Sequence, residues 1–435
     1  MSISGLPIIR SNAAGIDIGT EKMHVSVDGE TVKVFSTYTE SLAELVKYLQ
    51  SSKITSVAME ATGVLWLPLH DMIESVGIEI YLVNGLHAKN IGDHKTDFRD
   101  SRWLQKIHSC GLLRASFVPK DAIRELRTYM RQRENHVDSS STCIQRMQRA
   151  FELMNIKLHN VISDIKGVSG IKIIEAILSG ERDAKKLSNL CDTRIKSKKQ
   201  LEVISSLIGN YKSEYIFLLE QSYEEYKFFQ KQILDCDKRI EILLSEITRQ
   251  LPAPPESNPN PARHNQPKIQ NLHSQLVQLN GGKNAVILPG FCDKTILKLV
   301  SELGTDLSRW PTYKHFVSYL GLSPRMNQSG KSKKRGKWKI KTLAGQIFRE
   351  SALSIANSKH LALKGFYNRL KSKHGHKVAI KATARKLAVL YYLFLTKGLE
   401  YVEIGLKQYE ESYKKNLIRI LNKKASNLGM KLVSA

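Results

Sequence analysis

Cysteine is scarce in this chain, and none of it is paired in sequence. Cys110, Cys143, Cys191, Cys236 and Cys292 are the five in 435 residues, and no C-x-x-C occurs. A scattered, odd-numbered set excludes a disulfide framework and a cysteine-rich zinc site; the five read as reduced thiols, mostly buried. No run of about 18 apolar residues exists to span a bilayer. The opening MSISGLPIIRSNAAGIDIG lacks the long apolar stretch of a signal peptide. The expected location is therefore cytoplasmic, on the nucleoid, with no membrane partner. Acid is also in short supply, 41 Asp+Glu against 67 Lys+Arg, for a net charge of +26. Such an excess fits a polyanionic partner. With 42% apolar residues the chain can bury a real core, and its length implies two to four structural units.

The deficit of acid is not uniform. Residues 1–100 hold 8 Lys+Arg against 13 Asp+Glu, a local −5 that leaves +31 to the rest. An acidic first domain with a basic remainder suggests that one part holds cations and the other holds phosphates. Within that first part AAGIDIG, KMHVSVD and TVKVFST are short, partly alternating runs separated by turn residues, which predicts three strands. SLAELVKYLQ has helical spacing, ITSVAME reads as a buried strand, WLPLHDMIESVG as a helix and IEIYLVN as a fifth strand. Three strands followed by strand–helix alternation is the order of α/β ribonuclease-H-like domains.

From about Lys120 the pattern turns helical. A stretch from Tyr215 to Leu251 places Leu219, Tyr226, Ile233, Ile240 and Ile247 seven residues apart, with Phe229, Cys236 and Leu243 beside them. Such a stripe predicts a coiled-coil or bundle seam, either within one protomer or between two. Six of the twelve prolines lie between Pro252 and Pro267, so that segment reads as a linker. GVSGIKIIEAILSG from Gly167 and PGFCDKTILKLVSELG from Pro289 both set a Gly-bearing turn before an apolar helix. This pattern suits either ordinary helix capping or a phosphate at the helix N-terminus.

Two clusters carry chemistry. Asp17 closes the first strand in GIDIG, Glu60 closes the fourth in VAMEATG, and Asp97 and Asp100 share one helical face in HKTDFRDS. A lone Asp at a strand end is usually a turn residue. Four carboxylates on these elements instead suit Mg²⁺, with Mn²⁺ as an alternative, because hard oxygen ligands hold the cation that phosphodiester chemistry needs. The second cluster is SPRMNQSGKSKKRGKWKIK. Between Arg325 and Lys341 it carries eight Lys or Arg and no acid, with Trp338 interleaved. It lies between apolar blocks rather than at a tail, which favours a backbone-tracking surface over a solvated charge run. Arg325, Lys331, Lys333, Lys334, Arg335 and Lys337 are its candidate nucleic-acid contacts. Ser329, which opens the run before Gly330, is positioned to attack a phosphate whose charge is neutralised, although most such serines only form turns.

GIDIG, EATG, KTDFRDS, GLLRASFVP and RMNQSGK together resemble the 110-type insertion-sequence transposases, most closely their 1111 subgroup. MNIKLHNVISDIKGVSG, SGERDAKKL, LVSELGTDLSRWPTYKHFVSYLGLSP and KATARKLAVLYY extend the likeness over nearly everything except the Pro-rich segment. The resemblance implies a RuvC-like ribonuclease-H-fold DEDD domain over 1–118 and a helical coiled-coil region over 119–251. A Pro-rich linker over 252–267 would lead to a mainly α-helical transposase domain over 268–400 and a helical tail over 401–435. It assigns the acids to Asp17, Glu60, Asp97 and Asp100 and the catalytic serine to Ser329. It implies a structured noncoding bridge RNA that pairs with target and donor double-stranded DNA, and a 5′-phosphoserine intermediate. The homo-oligomer it implies, dimer or tetramer, would bring acids of one protomer to the serine of another. The chain departs from the family pattern in Ser-Gly-Lys at 329–331 for the commoner Ser-Gly-Gly-Lys. It also has Ser101 where many relatives have Ala, and Cys292 where a G-h-G turn has its second glycine. Two other activities suit the same residues: a junction-resolving nuclease using the acids and water, and a catalytically silent RNA-binding or architectural protein.

Overall fold

A computed structural model of the chain describes residues 6–83, 97–119, 121–257, 265–324, 326–330, 332–335, 342–358, 361–398 and short stretches between 411 and 431. The chain divides into two compact units, Met1–Val118 and Pro119–Ala435. The first is a mixed α/β sheet domain. Its elements are β1 (Ala13–Ile18), β2 (Lys22–Ser26), β3 (Lys33–Ser36), α1 (Thr39–Ser51), β4 (Ser56–Glu60), α2 (Leu67–Ser75), β5 (Glu79–Val83) and α3 (Asp97–Ser109). The strands lie in the order β3-β2-β1-β4-β5. β1 runs antiparallel to β2 and parallel to β4, and β4 parallel to β5.

Alternation along the strands sorts their side chains. Ala14, Ile16 and Ile18 of β1, Val57 and Met59 of β4 and Leu82 of β5 pack with Leu42, Leu45 and Leu49 of α1 and Leu69 and Ile73 of α2. The opposite face joins Ala58 and Val83 to Leu104 and Ile107 of α3. Asp17 and Glu60 share the parity of Gly15 and Ala58, so they belong to the α3 face. Gly15 lets the helix come close. A Cβ there would sit far inside van der Waals contact with the backbone N of Gln105 and backbone O of Ser101. Ser101 is fully buried at this crossing. The Gln105 amide donates to the Ala13 carbonyl at 3.2 Å, tying α3 to the sheet.

The second unit is mostly helical. Its two longest helices, α4 (Asp121–Leu153) and α9 (Ser213–Thr248), are joined through α5 (Leu158–Val161), α6 (Val168–Leu178), α7 (Ala184–Ser188) and α8 (Thr193–Ser206). α4 and α9 pair antiparallel within the chain. Arg133 binds Asp237, Gln230 donates to Ser140 Oγ, and Arg146 pairs with Glu225. Leu219, Ile233 and Ile240 of the seven-residue stripe are buried, and Leu219 packs into the cluster that includes Met147 and Phe151 of α4 and Met154 just beyond its end. The within-protomer alternative thus accounts for this face of α9.

Arg133 is 1% exposed and holds Asp237 Oδ1 at 2.5 Å. Asp237 Oδ2 accepts the Lys268 N–H at 3.0 Å, and Arg133 also donates to the Asn265 carbonyl. The buried ion pair therefore pins the chain where it leaves the Pro-rich segment. On the other side of that segment, Ser257 Oγ lies 3.0 Å from His273 Nε2, and His273 Nδ1 lies 2.7 Å from Asp293 Oδ1. Pro252–Ser257 itself has no regular structure, and 258–264 lie outside the described residues.

α10 (Leu272–Leu279) and a short 3-10 turn at Ala285–Ile287 precede α11 (Asp293–Leu303), α12 (Tyr313–Tyr319), β6 (Met326–Ser329) and β7 (Ser332–Arg335). Helices α13 (Leu343–Ala356), α14 (Leu361–His374) and α15 (His376–Lys397) follow. Phe291, Phe316, Phe348 and Tyr391 form an aromatic core joined edge to face. Both expected Gly-turn helices form, α6 behind Gly167 and α11 behind Cys292, neither with a side-chain cap bond. Cys143 and Cys191 are buried, whereas Cys110, Cys236 and Cys292 are half-buried, so thiol burial is less complete than the sequence suggests. Most of 401–435 lies outside the described residues. Among the described residues, no helix is long and apolar enough to cross a membrane.

Candidate metal centre and hairpin serine

The sheet and α3 bring the four acids together. Asp17 and Glu60 sit near the ends of the adjacent parallel strands β1 and β4, on the face that α3 covers. Asp97 and Asp100 occupy the first turn of α3, where unsatisfied backbone N–H groups favour negative charge. Asp17 is half-buried and carries the consequence. Burial pushes its carboxyl up to about 6, and the charges of Asp97, Asp100 and Glu60 add to the rise, against a hydrogen bond from the Ile18 N–H. A carboxylate that resists ionisation because it is buried, and because three others lie beside it, marks a place where a cation would stabilise the charged form. The donor set is hard oxygen, which suits Mg²⁺ or Mn²⁺.

A fifth residue joins this group that sequence reasoning missed. His24 on β2 stands directly opposite Asp17 in the antiparallel register. One His24 ring nitrogen, an Asp17 oxygen and an Asp97 oxygen all lie within 4.8 Å of one another. His24 is 6% exposed, and its Nδ1 has no hydrogen-bond partner among the described residues. The Phe98 ring meets its imidazole edge to face, with centroids 4.8 Å apart. The sequence did hold a signal: in KMHVSVD a tight β1–β2 hairpin fixes which residue faces Asp17. A second group, His70, Asp71 and Glu74, lies along one turn of α2 with both acids on the surface. Surface acids in one turn of a helix are ordinary without a metal.

Ser329 ends β6, in a hairpin whose register pairs it with Ser332. Gly330 follows Ser329 with φ +55°. Two-residue hairpins need a positive φ at the first loop position, which glycine adopts without strain. The Ser-Gly pair thus ends the strand and turns it. Lys333, Lys334 and Arg335 lie on β7 opposite Gln328, Asn327 and Met326. The side chains of Met326–Ser329 and Ser332–Arg335, and all of Arg325, Lys331 and Lys337, lie outside the described residues.

Residues 14–156 match a family model for DEDD transposases of the IS110 type, described as Transposase. Residues 286–367 match one described as Transposase IS116/IS110/IS902 family. The first match spans all four acids and the second spans Ser329. The chain matches no curated protein. By these two matches the chain belongs to the IS110 family of transposases and is an enzyme that acts on DNA as a transposase or recombinase.

Proposed function

We propose that this transposase exchanges DNA strands through a 5′-phosphoserine intermediate at Ser329, beside a divalent cation held by Asp17, Glu60, Asp97 and Asp100. The observation that carries the proposal is the convergence of the four carboxylates on one face of the sheet, where burial first, and then the charges of Asp97, Asp100 and Glu60, lift Asp17 to about 6. Bound there, Mg²⁺ or Mn²⁺ supplies positive charge against that building on the phosphate oxygens. Ser329 attacks the phosphorus. Its Oγ–P bond forms as the P–O3′ bond breaks, and the hydroxyl proton ends on the departing 3′ oxygen. Reversal with a different 3′ hydroxyl restores a phosphodiester and frees the serine, so no external energy source is needed. A serine hydroxyl is a weak nucleophile without help, which makes the cation or a neighbouring base part of its activation.

Arg325, Lys331, Lys333, Lys334, Arg335 and Lys337 hold the DNA backbone in this reading, and their loss weakens binding and flattens its salt dependence. Target and donor are chosen by a structured bridge RNA through base pairing, which a basic excess of +31 beyond residue 100 has the charge to accommodate. The working form is a dimer or tetramer in which acids of one copy and the serine of another act on one phosphate. The division of labour follows 1–118, 119–251, 252–267, 268–400 and 401–435.

The test incubates protein, Mg²⁺, DNA and RNA from the element's flank and resolves products on denaturing gels. A DNA-linked protein band that Ser329→Ala abolishes supports the proposal. Cutting that survives Ser329→Ala assigns the chain to the junction-resolving nucleases, with water as nucleophile. Mg²⁺ binding and DNA processing unchanged by Asp17→Ala remove the four acids from the chemistry and overturn the proposal.

A further inference from the structure

We propose that His24 is a ligand of the cation held by the four acids, which makes the centre a mixed nitrogen–oxygen site rather than an all-carboxylate one. The inference rests on the reading of Asp17, Glu60, Asp97 and Asp100 as a cation site and adds a residue that the four-acid pattern does not contain.

Register puts the imidazole there. In an antiparallel pair, directly opposed residues project to the same face, and β1 and β2 pair Asp17 with His24. Burial makes the placement costly unless the ring nitrogens find partners. His24 is 6% exposed, and its Nδ1 is unpartnered among the described residues. The ring also sits beside Phe98, the residue after Asp97 in the first turn of α3, so the helix that brings the acids fixes the imidazole as well. Ligands about 2.2 Å from one ion lie at most about 4.4 Å apart. The 4.8 Å limit that encloses the ring nitrogen and the Asp17 and Asp97 oxygens is close to that span. One cation reaches all three after small side-chain adjustments.

A nitrogen donor has a chemical consequence. Mg²⁺ favours oxygen and gives up its water reluctantly, whereas imidazole strengthens binding of the later divalent metals. The centre should therefore prefer Mn²⁺, and Co²⁺ more strongly, to Mg²⁺. Replacing His24 should remove much of that preference while leaving the oxygen ligands in place.

The experiment uses the full chain with Mn²⁺ as the probe. Binding is measured by calorimetry, and the bound ion by pulsed electron paramagnetic resonance on protein grown with natural-abundance or ¹⁵N-labelled histidine. Wild type should show ¹⁴N modulation that changes to the ¹⁵N pattern on labelling. His24→Gln should bind Mn²⁺ 10–100-fold more weakly and lose the nitrogen signal. The Mn²⁺-over-Mg²⁺ preference should fall with it. Asp17→Asn, which removes an oxygen ligand, should abolish the bound ion and so exclude any of the other twelve histidines as the source of the signal. The labelling arm needs no substitution and stands even where His24→Gln folds poorly. Mn²⁺ bound in an Asp17-dependent way without nitrogen modulation overturns the role of His24 and leaves the acidic site intact. Unchanged or tighter Mn²⁺ binding in a folded His24→Gln protein does the same, since a mere counter-ion to the acids would give that result. Failure of the wild-type protein to bind Mn²⁺ at all overturns the acidic site itself, and the inference with it.

Discussion

Replacing Asp17 with Asn should make the metal-free protein more stable, although it removes a residue at the heart of the proposed chemistry. Asp17 carries a charge that burial and three neighbouring carboxylates disfavour. A rise from the ordinary aspartate value near 3.9 to about 6 corresponds to about 3 kcal/mol against the charged form in the folded state. The side chain is only half-buried, and solvent screening reduces this to about 1–2 kcal/mol. Asn keeps the shape and an oxygen to accept the Ile18 N–H, and it carries no charge. The penalty should therefore vanish in Asp17→Asn.

The pH dependence gives the sign. The folded pKa lies above the unfolded one, so between about 4 and 6 the folded protein keeps a proton that the unfolded chain has released. Stability from this group is fully present below about 4 and is lost as pH rises through 6. In EDTA, wild type and Asp17→Asn should unfold with equal free energy near pH 4 and diverge by about 1–2 kcal/mol in favour of the variant at pH 7.5. Saturating Mn²⁺ should stabilise wild type and leave the variant almost unmoved, because binding to the folded state alone adds stability. Urea unfolding followed by circular dichroism reads both comparisons. A variant less stable than wild type at pH 7.5 in EDTA, or a difference that ignores pH, refutes the account of Asp17 as a buried carboxylate beside three other acids.

Gly15→Val should push α3 off the sheet, because its side chain would overlap the backbone of Ser101 and Gln105. About 1–3 kcal/mol of stability should go with it, and Mn²⁺ affinity should fall although no acid is touched. Ser329→Ala should eliminate the covalent protein–DNA adduct on denaturing gels and leave Mn²⁺ affinity unchanged. Mixing Ser329→Ala with Asp17→Asn should restore adduct formation if acids and serine come from different copies, and should stay inactive if they come from one. Asp237→Ala should cost about 3–5 kcal/mol by leaving Arg133 buried without its partner, while Arg133→Met with Asp237→Leu should come closer to wild type in the same urea assay.

The elements of the first unit were legible because each has a strong local signal. Alternation in GIDIG and VAMEATG marks strands whose polar ends break the apolar pattern, and i, i+3 spacing marks the face of Asp97 and Asp100. The α4–α9 pairing was legible as a seam but not as to which helix fills it. A seven-residue stripe says that a partner exists, and the Arg133–Asp237 and Arg146–Glu225 pairs that select α4 lie more than seventy residues apart in sequence. The β6–β7 hairpin escaped notice inside a domain read as mainly helical. Lys333, Lys334 and Arg335 run consecutively and β6 reads Met-Asn-Gln-Ser, so neither strand has the apolar alternation by which strands are recognised, and only the Gly after Ser329 gave a local sign of the turn.

His24 shows why the rest of the site was harder to see than the acids. Its chemistry is local, but its position is a fact about β2 relative to β1: a shift of one residue in that register would turn His24 to the opposite face of the sheet and bring Met23 or Val25 opposite Asp17. The register is held by apolar burial rather than by the site. Met23 and Val25 are in the core with Ile16 and Ile18, so slippage would expose both to the α3 face and bury His24 and Ser26 among Leu45, Val57 and Met59. At about 1.5–3 kcal/mol for each large apolar side chain moved out of its core, the hydrophobic layer fixes the hairpin more firmly than any single ligand could. The same alternation that makes the domain fold is therefore what delivers a nitrogen to the acids. A substitution that weakens the apolar face, such as Val25→Ser, should loosen Mn²⁺ binding without touching a ligand.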